Sequence, residues 1–344
     1  MSTAPTGNTL ICGVNWLGDS CMSMPAIQAW KARHPHHTLT LLIKPGLQSL
    51  WQCHPAIDQI LTLAPGNRGP FQTGRDLRKQ PFETAYIFPN SWRAALPPWI
   101  GKIPRRIGFA GHTRRWLLTT VIPDSPATEH QQWEYARILD LPRSDSLPMP
   151  ELVLPDPPEA MAQQKGPCIG ILPGAARGPA KRWPSGHFIE AARHLRQQQD
   201  FHFCVMGTPA EAPVCEEIAS ALQPHAQCLA GSTTLPTLAA ALRSCAGVLT
   251  NDSGGMHLAA AVGSPVVAMF GLTDPAKTGP IGPYTSCLQP AGIQGARKIS
   301  RHSEEAQRIL ASIAPKEAAS ALLECMQNKN AKPSGLHEHS HPTS

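Results

Sequence analysis

Short apolar runs alternate with helical stretches along this chain, and the alternation occurs twice. No other feature limits the possible folds so strongly. In the first half, "TLICGV" (9–14), "TLTLLIK" (38–44), "DQILTL" (58–63), "TAYIFP" (84–89) and "RRIGF" (105–109) read as strands. A helix over 20–34 places Met24, Ile27 and Trp30 on one face. In the second half the strands are "PCIGILPG", "FHFCVMG", "AQCLAG", "AGVLTN" and "PVVAMFG", with helices expected over 185–198, 211–222, 235–243 and 253–262. Apolar strands alternating with helices build doubly wound parallel sheets. The expected fold is therefore α/β, with two Rossmann-like domains facing across a cleft and a helix at about 303–326 closing it.

The break between the halves is a Pro-rich, acid-containing stretch that reads as a linker. The expected division is an N-terminal domain over 1–150, a linker over 151–166, a C-terminal domain with its closing helix over 167–326, and a polar, disordered tail over 327–344. The ten cysteines include no CxxC pair, and Cys12, Cys168 and Cys204 sit in apolar runs. Free, buried thiols in a reducing compartment are the expectation. The N-terminus lacks the basic and long apolar regions of a signal peptide, and no uncharged run is long enough for a membrane helix. The chain reads as cytosolic.

Ligands of open α/β sheets bind beyond the carboxyl ends of the strands, so the strand-to-helix junctions hold the candidates. In "GVNWLGDSCMSMPAI" (13–27), Asp19 is either an N-cap or a general base facing the cleft. In "ILPGAARGPAKRWPSGHF" (171–188), a turn at Gly174 leads to Lys181 and Arg182, an anion site or a basic surface loop. In "VMGTPAEAPVCEEI", Glu211 is either a first-turn acid that complements the helix dipole or a partner for ribose hydroxyls. In "NDSGGMHLAAA" (251–261), Gly254 and Gly255 lack a Cβ, so either a ligand or a neighbouring strand approaches the helix start closely. Asp252 suits sugar hydroxyls better than phosphate, or serves as an N-cap. His257 taken alone reads as a helix-surface or packed histidine. Thr273 and Asp274 are weaker candidates for the same cleft.

Several chemistries lack their signatures. The dinucleotide GxGxxG, the Walker loop, HExxH, paired Cys/His metal spacing and the GxSxG elbow are all missing. The reading therefore includes no cofactor and no metal; "HEHSH" in the tail reads as a polar His-rich segment. Net charge is +6, and "WIGKIPRRIGFAGHTRRW" (99–116) carries five Lys/Arg and no acid. Such a patch suits an anionic partner. Its flanking Trp99 and Trp116 are expected in the core, with a membrane interface as the alternative.

Four motifs taken in order, "NWLGDSCMSMPAIQAWKARHP", "LPGAARGPAKRWPSGHF", "MGTPAEAPVCEEI" and "TNDSGGMHLAAAVGSPVVAMFGLTDPAKTGP", resemble glycosyltransferase family 9. Within it, the ADP-heptose:lipopolysaccharide heptosyltransferases that add the second heptose are most similar. The resemblance covers residues 8–285. It implies a GT-B fold and inverting, metal-independent transfer of heptose from ADP-heptose to the anionic inner core of lipopolysaccharide, at the cytoplasmic face of the inner membrane. Nucleic acid is not an implied partner. Asp19 matches the catalytic base. Lys181 matches the lysine on the donor diphosphate, Glu211 the ribose acid, Asp252 a residue at the donor sugar, and His257 a donor-side histidine. Gly174 and the backbone of Ser253, Gly254 and Gly255 complete the donor site. Arg93 matches a basic residue on the acceptor side, with Trp16, Arg114 and Arg115 as acceptor candidates beside it. The segment 286–315 departs from the pattern: many such enzymes carry a Cys- and His-rich stretch there, whereas this chain has one cysteine. Competing readings are a family 9 enzyme with another donor or acceptor, and a GT-B-fold epimerase or silent nucleotide-sugar-binding protein.

Overall fold

The computed structural model describes residues 7–111, 113–143, 146–164, 166–176, 178–293 and 303–331. The first half contains β1 (Asn8–Cys12), α1 (Leu17–Arg33), β2 (Thr38–Ile43), α2 (Gln48–Trp51), β3 (Gln59–Thr62), α3 (Gly69–Leu77), β4 (Thr84–Ile87), α4 (Trp92–Ile100), β5 (Arg105–Phe109), β6 (Thr120–Ile122) and α5 (Gln132–Ile138). The second contains α6 (Glu159–Ala162), β7 (Cys168–Leu172), α7 (Ser185–Arg196), β8 (His202–Val205), α8 (Ala212–Ala221), β9 (Ala226–Cys228), α9 (Leu235–Ser244), β10 (Gly247–Asn251), α10 (Gly254–Ala261), β11 (Val266–Met269), α11 (Pro275–Thr278), β12 (Thr285–Leu288), α12 (Glu304–Ala311) and α13 (Pro315–Ala331).

Each half forms one six-stranded sheet, in the orders β3-β2-β1-β4-β5-β6 and β12-β11-β10-β7-β8-β9. All pairings within both sheets are parallel. The two orders are the same when each half is counted from its own first strand, so each sheet reverses direction at its centre. The reversals lie between β1 and β4 and between β7 and β10. Helices cover both faces, which explains why the central strands β7, β10 and β11 are buried throughout and read as unbroken apolar runs.

The apolar core has three parts. One lies on a face of the first sheet, around Leu10, Leu42, Ile87 and Leu117. A second packs Trp183, Phe188, Phe203 and Leu322 between the second sheet, α7 and α13. The third is continuous across both halves, from Ile11, Met24 and Trp30 to Met256, Leu258 and Phe270. It passes through the contact of α1 with α10.

The Pro-rich connection is docked on the first half. The Gln28 side chain donates to Met149 O (3.2 Å) and accepts from Glu151 N (2.9 Å), and Val153 N donates to Cys53 O (2.9 Å). The single closing helix expected over 303–326 is two helices, α12 and α13, interrupted before Pro315. Proline cannot donate to the preceding turn and disfavours helix in the residue before it. The final helix runs to Ala331, past the expected start of the tail at 327; residues 332–344 lie outside the described residues, as does the 294–302 portion of the divergent segment. Among the described residues no helix is long and apolar enough to cross a membrane. The ten cysteines are free thiols.

Candidate active site

Both sheet reversals open into one cavity of about 580 Å³ between the halves. A crevice at such a reversal is where α/β sheets bind ligands. Trp16, Leu17, Gly18, Asp19, Met22 and Gln131 line it from the first half. The second half contributes Gly174, Lys181, Glu211, Asp252, Ser253, Gly254, Gly255 and His257. The donor residues expected from the four motifs thus converge with Asp19 on a single space.

At the end of β7, a Cβ on Gly174 would lie 1.8 Å from Glu211 Oε1. Only glycine leaves room for that carboxylate. Glu211 closes a short 3-10 turn ahead of α8, where its Oε2 accepts from Thr208 N (2.8 Å) and Thr208 Oγ1 (2.9 Å). The helix-start acid and the cavity-facing acid are therefore one group: Oε2 caps the turn, while the carboxylate lies over Gly174.

Lys181 Nζ forms an ion pair with Asp252, and both side chains are largely enclosed. Asp252 is not the N-cap of α10; that position is Ser253, whose side chain makes no capping bond. Next to it, Asn251 is fully buried. Its Oδ1 accepts from Trp183 N (2.9 Å) and its Nδ2 donates to Pro173 O (2.7 Å). One amide at the end of β10 thus fixes both the β7 turn and the loop that carries Lys181.

Gly254 and Gly255 serve packing. A Cβ on Gly254 would sit 2.9 Å from Leu17 Cβ, and one on Gly255 would sit 2.7 Å from Leu172 Cδ1. The missing side chains make room for α1 and for the end of β7, while the start of α10 still lines the cavity. His257 is also held in this contact: a Cβ on Gly18 would meet its Cδ2 at 2.7 Å. Burial pushes its pKa down to about 4, against the opposing pull of Asp252. It is a neutral, packed histidine on the cavity wall, and its Nδ1 has no hydrogen-bond partner.

Asp19 stands in the first turn of α1, three residues after the N-cap, which is Trp16. The N-cap alternative for Asp19 is thereby overturned. Its Oδ1 accepts from Gln131 Nε2 at 3.2 Å, and the same nitrogen donates to Tyr135 Oη at 2.8 Å. Trp16 is exposed at the cavity mouth, with Lys44 Nζ 5.8 Å from its ring centre.

Three acceptor candidates do not line this cavity. Arg114 is fully buried, and its guanidinium donates to Phe109 O (2.9 Å), Asn90 Oδ1 (3.2 Å) and Pro89 O. A guanidinium has five donors and no acceptor, so a buried one needs such a cage. Arg114 braces the turns after β4 and β5, which corrects its reading as an acceptor ligand. Arg93 is exposed on α4 and donates to Gly66 O, and Arg115 is exposed beside Trp116. The core expectation for Trp99 and Trp116 is also corrected. Both are exposed, packed edge to face with ring centres 5.7 Å apart.

A half-buried carboxylate that shares one cavity with a lysine and a helix start suits a reaction in which a hydroxyl loses its proton while an anionic group departs. The family model for glycosyltransferase family 9 (heptosyltransferase) matches residues 71–307. The chain belongs to glycosyltransferase family 9. It is 32% identical to the lipooligosaccharide heptosyltransferase 2 of Haemophilus influenzae, over 82% of this chain and 88% of that protein. It is 30% identical to the lipopolysaccharide heptosyltransferase 2 of Escherichia coli, over 79% and 85%. The solved structure of E. coli ADP-heptose LPS heptosyltransferase II superposes with a TM-score of 0.80 at 26% identity, covering 94% of this chain and 100% of that one. The fold is that of this family, GT-B, with two parallel sheets across a cleft, and the protein is a glycosyltransferase.

Several residues that shape this family 9 site lie outside the motifs. Gln131 precedes α5, and Thr233, Thr234 and Leu238 line the cavity from the start of α9. Asn251 was inside a quoted motif but had no assigned task. A polar residue at the end of a fully buried strand is its available signal. Among the described residues no group of three or more His, Cys, Asp or Glu side chains is placed to hold a metal ion.

Proposed function

We propose that this family 9 enzyme transfers heptose from ADP-heptose to the inner core of lipopolysaccharide, inverting the anomeric carbon and needing no divalent metal. One observation carries the reading. A single cavity is lined by Asp19 from one half and by Lys181, Glu211, Asp252 and the start of α10 from the other. Asp19 is the base. It takes the proton of the acceptor hydroxyl as that oxygen bonds to the anomeric carbon, while the bond from that carbon to the diphosphate oxygen breaks on the opposite face. ADP leaves with that electron pair. Lys181 and the first N–H groups of α10 stabilise its growing charge. Glu211 accepts from the ribose hydroxyls, and Asp252 is shared between Lys181 and the donor sugar. Trp16, at the mouth, offers a face for an acceptor sugar.

The acceptor is a lipid, so the enzyme works at the cytoplasmic face of the inner membrane by peripheral contact. The exposed Trp99–Trp116 pair beside Lys102, Arg105 and Arg115 supports that contact, because aromatic rings and cations together suit an anionic interface. The deciding experiment incubates the purified enzyme with ADP-heptose and heptose-truncated core lipid and weighs the lipid by mass spectrometry. Gain of one heptose is expected, with undiminished rate in EDTA. An unchanged lipid mass would refute the donor–acceptor pair, and a large loss in EDTA would refute metal independence.

A further inference from the structure

Gln131 occupies an unusual position. Its side chain belongs to the base, while its backbone belongs to the opposite half. Its Nε2 donates to Asp19 Oδ1 (3.2 Å) and to Tyr135 Oη (2.8 Å). Its own backbone N–H donates to Lys277 O (3.0 Å) in α11 of the second half. The preceding residue makes a parallel link, His130 Nε2 to Gly279 O at 3.0 Å. An ionised carboxylate only accepts hydrogen bonds, so the Gln131 amide must turn its NH2 toward Asp19. Both amide hydrogens are then used. The Tyr135 ring is buried, and burial, aided by the Asp19 charge, holds its phenol far above its usual pKa and thus protonated. The amide NH2 is therefore held between Asp19 and Tyr135.

We infer that Gln131 is the positioning residue of this transferase: it aims the Asp19 carboxylate into the cavity, and it does so only while α11 of the donor half holds its backbone. The inference rests on Asp19 being the base. Its physical content is that the general base is aligned by the half that binds the nucleotide sugar. Loss of the Gln131 bond loosens the carboxylate's aim at the acceptor hydroxyl, and misalignment by about an ångström costs on the order of a hundredfold in rate. The titratable groups around Asp19 are Cys21 on its own helix, Glu134 and Tyr135 on α5, His130 ahead of α5, His257 on α10, and the Lys181–Asp252 pair across the cavity. Of these, only Tyr135 bonds directly to the Gln131 side chain, and losing that bond leaves its buried phenol still protonated.

The test measures kcat, the KM of each substrate and the pH dependence of kcat for wild type, Gln131→Leu, Gln131→Glu and Asp19→Asn. ADP affinity by calorimetry serves as the folding control. Gln131→Leu is expected to lower kcat about tenfold, the effect of one lost charge-assisted hydrogen bond, with both KM values unchanged. Gln131→Glu is expected to move the acid limb of the kcat profile upward by at least about one pH unit, because two neighbouring carboxylates hold one proton between them. Asp19→Asn is expected to be inactive. Removing the α11 cap by Asp274→Ala, whose Oδ1 now accepts from Ala276 N at 3.0 Å, should lower kcat in wild type and add little in Gln131→Leu. A raised acceptor KM with unchanged kcat in Gln131→Leu would make Gln131 an acceptor ligand instead. An unmoved acid limb in Gln131→Glu, with Asp19→Asn inactive, overturns the positioning role and leaves the base intact. An active Asp19→Asn overturns both. Full additivity with Asp274→Ala overturns the tie to the donor half.

Discussion

Lys181 and Asp252 are partners before any donor binds, and this sets the direction of each substitution. Asp252 is only 9% exposed, so losing Lys181 strands a buried carboxylate. Lys181→Ala should weaken ADP binding at least about tenfold and lower the unfolding midpoint, since it removes the proposed diphosphate cation and the ion pair together. Asp252 has the opposite relation to ADP. It repels the diphosphate and competes for the same ammonium, so Asp252→Asn should tighten ADP binding a few-fold while reducing transfer by more than about tenfold. Calorimetry with ADP and turnover on the same preparations check both, and ADP binding that falls in step with turnover would reduce Asp252 to a scaffold for Lys181. The sequence conveyed the chemical type of these residues but not their pairing, because 71 residues separate them and only the docking of the 3-10 turn at 179–181 against the end of β10 brings them together. The glycines show the same limit. A missing Cβ at 254 and 255 signals close approach, yet the sequence does not say whether a phosphate or Leu17 and Leu172 does the approaching.

The contact of α1 with α10 is the mechanical centre of the enzyme. Gly18 meets His257 and Gly254 meets Leu17 there, while Gly255 meets Leu172 at the end of β7. A methyl at 254 would press on Leu17 Cβ, close to the backbone of the helix that carries Asp19, where no flexible end can swing aside. Gly254→Ala should therefore cost about 1–3 kcal/mol of stability by overpacking and lower turnover, while ADP affinity changes less; urea unfolding and calorimetry separate these effects. The elements themselves were largely legible. Ten of the twelve strands appear as apolar runs because neighbours or helices enclose them. The two that do not, β6 ("TVI") and β12 ("TSCL"), each lie at one edge of their sheet and hold no fully buried residue. On α4, Trp92 and Trp99 are seven residues apart and both exposed, with Trp116 packed on Trp99. Trp99→Ser with Trp116→Ser should reduce sedimentation with anionic phosphatidylglycerol vesicles about tenfold and leave ADP affinity unchanged; equal sedimentation would remove this face from membrane contact.

The two sheets share one strand order, and their reversals open into one cavity, so the architecture brings Asp19 from one half and Lys181 from the other to a single space. That much followed from the repeated alternation. Gln131 and Asn251 did not, because their roles exist only once separate segments are docked: Asn251 bonds across 68 and 78 positions, and Gln131 reaches Asp19 across 112. The same docking ties stability to pH. His54, in the first half, and His257, at the seam, are each held by burial at a pKa of about 4. In the unfolded chain both titrate near 6.5. Between pH 6.5 and 4 the unfolded chain therefore takes up two protons that the folded protein refuses, and stability falls as pH falls. Each histidine contributes up to about 1.4 kcal/mol per pH unit, on the order of 3 kcal/mol over the whole interval. Above pH 6.5 neither contributes a slope. Urea unfolding at pH 7.5, 6.0, 5.0 and 4.5 should show this loss, and His54→Gln or His257→Gln should each remove about one proton from the slope whatever it does to stability at pH 7.5. An unchanged slope in both variants would mean that these histidines accept protons in the folded enzyme and that the seam around His257 is open to water.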